Sequence, residues 1–239
     1  MNGFERYAIY WAPAPGPLAD WAAGWLGWDA SAGREMPHPD LPGLPHPIAE
    51  ITATPRKYGF HGTVKPPFRL AQGTGIQELH AETGALCASL APVEMPGLAL
   101  QRLAGFVALV PEGDQSALAR LAAQVVERLD RFRAPPSDVE IARRRPERLS
   151  DRQRANLARW GYPYVMEEFE FHLTLTGSLP SDDAEKVAQV LTPALNPLMP
   201  RPFRLDSLCL FAEAADGRFR LLHRYTLSGS SAARKAVTA

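Results

Sequence analysis

Cysteine is scarce in this 239-residue chain: there are two, Cys87 and Cys209, and they lie far apart. They form neither a Cys-x-x-Cys redox pair nor a metal-ligand spacing, so their expected role is as small apolar fillers in a reducing compartment. Net charge is absent as well. Lys plus Arg and Asp plus Glu both number 26, whereas a chain built to hold a long polyanion usually carries a basic excess, because phosphate neutralisation supplies most of the affinity. The balance disfavours long nucleic acid and favours a small ligand in a local pocket. No apolar run approaches the length that spans a bilayer, which sets a membrane role aside. Met1 to Trp11 carries Glu5 and Arg6 and lacks a long apolar core, so no signal peptide is visible and the cytoplasm is the expected compartment.

What is present is an ordinary globular composition, 46% apolar and 22% charged, in a chain long enough for one large domain or two small lobes sharing a core. Arg6 to Trp11 is aromatic and β-branched and ends at Pro13 and Pro15, an opening strand and turn. Pro17 starts a helix in which Leu18, Trp21, Ala22 and Trp25 recur at helical spacing up to Gly27. Arg34 to Pro47 is a Pro- and Gly-rich loop carrying His38 and His46. A metal reading of those two would need further convergent ligands, and surface residues are expected instead.

Further along, Tyr58 to Leu70 reads as a strand interrupted at Pro66-Pro67, 76–90 as a helix, and 98–110 as one long strand or a hairpin. Residues 118–132 form an amphipathic helix, and Ala134 to Arg148 a Pro- and Arg-rich connector. Ser150 caps a helix over 151–160 that Gly161 closes. Glu168 to Leu179 reads as a strand, and Ser181 caps a helix to about Leu195. Residues 203–212 and 218–227 alternate and are joined at Ala215-Asp216-Gly217, a hairpin signal. Strands and helices mix without strict alternation, which predicts an α+β protein with antiparallel sheets and helices packed outside them.

Two segments share one grammar. Gly59-Phe60-His61-Gly62-Thr63-Val64-Lys65 and Glu170-Phe171-His172-Leu173-Thr174-Leu175-Thr176 both read x-Phe-His-x-Thr-apolar-polar, about half a chain apart. Side chains alternate along a strand, so His61, Thr63 and Lys65 should share one face and Phe60 and Val64 the other. His172, Thr174 and Thr176 should likewise share a face. A lone Phe-His-x-Thr strand is commonly structural, but two copies in one frame are hard to ascribe to packing, since each buried polar group needs a partner. Two imidazoles suit a phosphodiester: one removes a proton from the attacking hydroxyl or water, the other protonates the leaving oxygen. The hydroxyls of Thr63 and Thr174 can donate to the non-bridging oxygens, and Lys65 could add positive charge.

At these residues the sequence resembles the two-histidine (2H) phosphoesterase superfamily, defined by two His-x-Thr/Ser-x motifs. Arg56-Lys57-Tyr58-Gly59-Phe60-His61-Gly62-Thr63-Val64-Lys65-Pro66-Pro67-Phe68, Trp160-Gly161-Tyr162-Pro163-Tyr164-Val165, the second His-x-Thr segment and the opening Arg6-Tyr7-Ala8-Ile9-Tyr10-Trp11-Ala12-Pro13 look like a branch associated with bacterial phosphonate-utilisation operons. The resemblance implies a bilobal, internally duplicated α+β fold with antiparallel sheets forming a central cleft, one domain over 1–229 with a tail over 230–239. It implies that His61 and His172 are the acid and base, that Thr63 and Thr174 bind phosphate, and that the substrate is a small cyclic phosphodiester, a cyclic ribose phosphate or a nucleotide 2′,3′-cyclic phosphate among the candidates, in phosphonate metabolism. No cofactor or metal is implied, and the expected assembly is a monomer or weak oligomer.

Secondary candidates are Arg143 with Arg144 and Arg145 at the phosphate mouth, Tyr7, Tyr58 and Tyr225 as pocket lining, and Trp160 and Tyr162 as a flap. His80 and His223 lack a following Thr and read as structural or exposed. The alternatives are a phosphate- or nucleotide-binding module that has lost turnover, and a metal-dependent hydrolase using His38 and His46.

Overall fold

The structure, a computed structural model, describes residues 3–230, so all but Ser230 of the expected tail lies outside the described residues. In chain order the elements are β1 (Phe4–Trp11), α1 (Pro17–Leu26), β2 (Trp28–Asp29), β3 (Arg34–Glu35), α2 (Ile48–Ile51), α3 (Ala53–Arg56), β4 (Gly62–Phe68), α4 (Ile76–Ser89), β5 (Val93–Met95), β6 (Leu98–Leu103) and β7 (Phe106–Pro111). Then come α5 (Ser116–Arg128), α6 (Asp138–Arg143), α7 (Asp151–Trp160), β8 (Leu173–Thr174), α8 (Ser181–Leu195), β9 (Phe203–Leu205), β10 (Ser207–Ala214) and β11 (Phe219–Thr226).

Seven strands form one sheet in the order β11-β10-β1-β4-β8-β7-β6, with β2-β3 and β5-β9 as small separate pairs. Each described pairing is antiparallel, as the mixed strand–helix order predicted. The sheet has two halves, β11-β10-β1-β4 and β8-β7-β6, that meet among the described residues through a single residue pair, Gly62 with Leu173.

One face of the sheet carries the main core. Trp25 of α1, Leu79 of α4, Val125 of α5 and Leu191 of α8 pack there against Ile9, Val64, Leu109 and Leu173. These four helices therefore cover one side. The other side holds a smaller cluster of Ala8, Tyr10, Cys209, Phe211 and Phe219, with Trp28 and Ala30 brought over by β2. No helix among the described residues is long and apolar enough to cross a membrane.

Several local expectations need correction. β4 runs through Pro66-Pro67 instead of breaking there, because its register against β1 slips between Ile9–Lys65 and Tyr7–Phe68, where the prolines need donate no ladder hydrogen bond. The 168–179 strand shrinks to Leu173–Thr174. The amides of Leu175 and Thr176 both turn to the Val107 carbonyl, and the Thr176 hydroxyl accepts from the Val107 amide, so a side chain replaces the ladder. The 134–148 connector contains α6, opened by a capping box in which Ser137 and Glu140 satisfy each other's backbone amides. Ser181 begins α8 inside the helix, after Pro180, instead of capping it.

Candidate active site

Strand register builds the site. Gly62 faces Leu173 across β4 and β8, so one residue further each way His61 stands opposite Thr174, and Thr63 opposite His172. All four side chains then share the face away from the main core, where Leu173 is fully buried. The histidines occupy diagonal corners, which cross-strand geometry sets at about 7–8 Å, and the threonines occupy the other two.

Both imidazoles are anchored alike. His61 Nδ1 meets the Gly59 carbonyl at 2.9 Å, and His172 Nδ1 meets the Glu170 carbonyl at 2.9 Å. A carbonyl only accepts, so in the neutral imidazole each Nδ1 carries the proton and each Nε2 the lone pair. His61 Nε2 lies 3.2 Å from the Thr63 hydroxyl, which donates to it when the imidazole is neutral. The carbonyl that holds His61 sits at a left-handed Gly59 whose added Cβ would strike Ala30, so glycine is required there.

The His61 ring stacks on the buried Tyr10 ring, with centroids 3.8 Å apart, and the Tyr58 ring lies 5.9 Å away. Burial pulls the His61 pKa down to about 4, against the Gly59 hydrogen bond that favours its charge, and the nearby His172 pushes the same way as burial. Burial also lifts Tyr10 well above the ordinary tyrosine value. On the other strand, the Phe106 ring lies 5.5 Å from that of His172.

Lys65 is not on this face. Between Tyr10–Thr63 and Ile9–Lys65 the register slips by one residue, leaving Val64 extra, and such a bulge turns the next side chain over. Lys65 is 1% exposed on the helix side. Its ammonium donates to the Val126 carbonyl in the last turn of α5 and meets Asp130 at 3.4 Å. A cation at a helix C-terminus is favoured by the dipole, yet burial lowers the Lys65 pKa to about 8. Lys65→Met should therefore cost about 1–3 kcal/mol, a Tm drop of roughly 2–10 °C, while kcat/KM of the folded protein stays within about twofold. A kcat loss of orders of magnitude would return Lys65 to the site.

Two tyrosines are also relocated. Tyr7 points into the main core beside Phe4, since odd positions of β1 face the helices. Tyr225 is buried against α4, its hydroxyl 2.6 Å from His80 Nδ1. Thr176 is spent on the Val107 amide, as above. Tyr162 does come to the site's side: the Arg144 guanidinium lies 4.5 Å over its ring, and Tyr162 adds to the burial that lifts the Tyr10 pKa. Arg143 is exposed on the wall of a neighbouring cavity. His38, expected at the surface, is half-buried and meets the Gly24 and Trp25 carbonyls at the end of α1. His46 pairs with Asp183 at 3.0 Å. Among the described residues no three His, Cys, Asp or Glu side chains cluster closely enough to hold a metal ion.

Sequence reasoning missed Tyr10 and Gly62. Alternation along β1 separates Arg6, Ala8 and Tyr10 from Tyr7, Ile9 and Trp11, but which set faces the histidines depends on the pairing with β4.

A family model described as "Protein of unknown function (DUF1045)" matches residues 63–220. Two curated relatives are both named ribose 1,5-bisphosphate phosphokinase PhnN. That of Janthinobacterium sp. (strain Marseille) is 36% identical over 188 residues, 78% of this chain and 42% of the relative. That of Laribacter hongkongensis (strain HLHK9) is 34% identical over 219 residues, 90% of this chain and 50% of the relative. The chain thus spans about half the length of the curated relatives it matches. Among solved structures, E. coli LigT complexed with 3′-AMP aligns at 14% identity and TM-score 0.42, covering 94% of this chain and 98% of that one. TT0787 of Thermus thermophilus aligns at 13% identity and TM-score 0.43, covering 94% and 99%. Those scores lie below the level from which a shared fold follows.

Proposed function

The chain belongs to the family described as Protein of unknown function (DUF1045), and we propose that it is a two-histidine phosphodiesterase that opens a small cyclic phosphodiester with water. The observation that carries this reading is the diagonal pair: two imidazoles on adjoining strands and one face of the sheet, each fixed through Nδ1 to a backbone carbonyl.

His61 is the base. Burial holds it neutral, and its Nδ1 proton on the Gly59 carbonyl makes Nε2 the accepting nitrogen, open to water once the Thr63 hydroxyl turns from it to the phosphate. It takes a proton from water as the water oxygen bonds to phosphorus. His172, entering protonated at Nε2, gives that proton to the ribose oxygen as the P–O bond breaks. One water is consumed, and the diester becomes a monoester plus a hydroxyl. Thr63 and Thr174 donate to the non-bridging oxygens, fixing phosphorus between the imidazoles. The same residues act without any metal, so turnover is expected to survive EDTA.

The relatives' name supports one choice of substrate. A ribose 5-phosphate bearing a 1,2-cyclic phosphate, opened at O2, becomes ribose 1,5-bisphosphate, which those relatives are named for phosphorylating. This sequence has no Gly-x-x-x-x-Gly-Lys-Ser/Thr phosphate loop, and we assign the named phosphoryl transfer to the part of the relatives outside the alignment. Phosphorus NMR of that cyclic diester tests the reading. The diester resonance should give way to a monoester resonance in EDTA; no turnover of this or any other small cyclic diester would end it.

The pH profile tests the roles. A general base must be unprotonated, so kcat/KM rises with pH through its pKa. With His61 lowered from 6.5 to about 4, the acid limb should fall near pH 4. An acid limb centred near pH 6.5 would move the base role away from His61.

A further inference from the structure

Beside His61 lies a cavity, about 380 Å³, whose wall is far more basic than the neutral chain as a whole. Tyr58 lines it, and the Tyr58 ring is 5.9 Å from that of His61. Six cations line it. Three are neutralised: Arg6 by Glu213 at 2.7 Å, Arg69 by Glu140, and Arg133 by Asp130 at 2.8 Å. The other three, Lys57, Arg143 and Arg144, have no carboxylate partner among the described residues, while Glu5 stands exposed at the rim.

Two of these three sit over tyrosine rings. Lys57 Nζ rests 4.8 Å over the Tyr58 ring, and Arg144 rests 4.5 Å over the Tyr162 ring. Arg143 ends α6, one residue before Arg144. The paired arginines hold their neighbours in place: Arg69 is tied through Glu140 to α6, and Arg133 donates to the Arg159 carbonyl at the end of α7. Three unpaired cations gathered at one cavity repel one another, and an anion relieves that repulsion.

We propose that this cavity is a second phosphate subsite, which takes the terminal phosphomonoester of a substrate whose diester sits between His61 and His172. The inference rests on the phosphodiesterase reading for the identity of the neighbouring group, and it narrows the substrate class. The preferred diester carries a second, dianionic phosphate on the same small molecule. Lys57 and Arg143 supply point charge and guanidinium hydrogen bonds to it, and Arg144 closes the wall beside Tyr162.

The test compares ribose 1,2-cyclic phosphate with and without the 5-phosphate, in the wild type and in a Lys57→Ala/Arg143→Ala double variant. Hydrogen bonds to a charged group carry about a 10- to 100-fold preference, so wild type should favour the phosphorylated diester by that factor through KM. In the double variant the ratio should fall toward one. Equal kcat/KM for the two diesters in wild type, or an unchanged ratio in the variant, overturns the subsite. Ribose 5-phosphate, which has no diester, separates this from failure of the phosphodiesterase reading. Titrated calorimetrically, it should bind wild type and lose about tenfold or more in affinity in the variant, whether or not any diester is turned over. Equal affinity in both proteins, or no binding to wild type, defeats the proposal.

Discussion

Replacing either His61 or His172 by alanine should lower kcat for the cyclic diester by about 10²–10⁴-fold, the range general acid–base groups supply. The two effects should not multiply, because base and acid act in one transition state. The double variant should lose little more than the worse single one. Neither change should unfold the protein. Each imidazole makes one backbone hydrogen bond to a carbonyl two residues away, and neither ring belongs to the main core. His61→Ala does uncover the Tyr10 face, so a small Tm shift is expected there and less at His172. Far-ultraviolet circular dichroism and Tm keep a loss of fold apart from a loss of chemistry. Wild-type turnover in both folded variants would remove the histidines from the mechanism.

The site was legible where a period of two holds and obscure where it breaks. His61 with Thr63 and His172 with Thr174 are each two apart on a strand, so the sequence predicts a shared face without knowing the sheet. What the sequence does not carry is register. The single pairing of Gly62 with Leu173 turns two separate rows into a square with histidines on the diagonal. Lys65 and Thr176 look like third members of those rows and are not. An extra Val64 turns Lys65 to the helix side, and the Val107 amide claims Thr176. Tyr7 and Tyr225 failed for a related reason: an aromatic residue on a strand has two faces to choose from, and both chose the helices. Of the helices, those with apolar stripes or cap residues were readable, as with Ser150 ahead of α7. α6 was hidden because it is short and buries no residue, although Ser137 and Glu140 spell its capping box.

Gly62→Ala should be nearly as damaging to turnover as the loss of a histidine, although Gly62 touches no substrate in the proposed mechanism. A Cβ built there lies 2.2 Å from Cζ of the Phe171 ring, which is 1% exposed and has little room to withdraw. Phe171 lies 6.2 Å, ring to ring, from Phe203 and 6.4 Å from Phe169, so moving it disturbs the core beneath both motifs. Overpacking of this kind costs about 1–3 kcal/mol of stability. Its larger consequence is at the seam: among the described residues, Gly62 and Leu173 are the one pair joining the two halves of the sheet. Spreading them separates His61 from Thr174 and Thr63 from His172 together, and misplacement by about 1 Å costs on the order of 10²-fold in rate. kcat should therefore fall by about that factor in a protein that remains folded. Phe171→Leu, which shortens the offending ring, should restore most of it when combined with Gly62→Ala, while lowering stability on its own. Full activity in Gly62→Ala alone would mean that the seam tolerates spreading. Failure of the double variant to recover would mean that Gly62 acts through something other than Phe171.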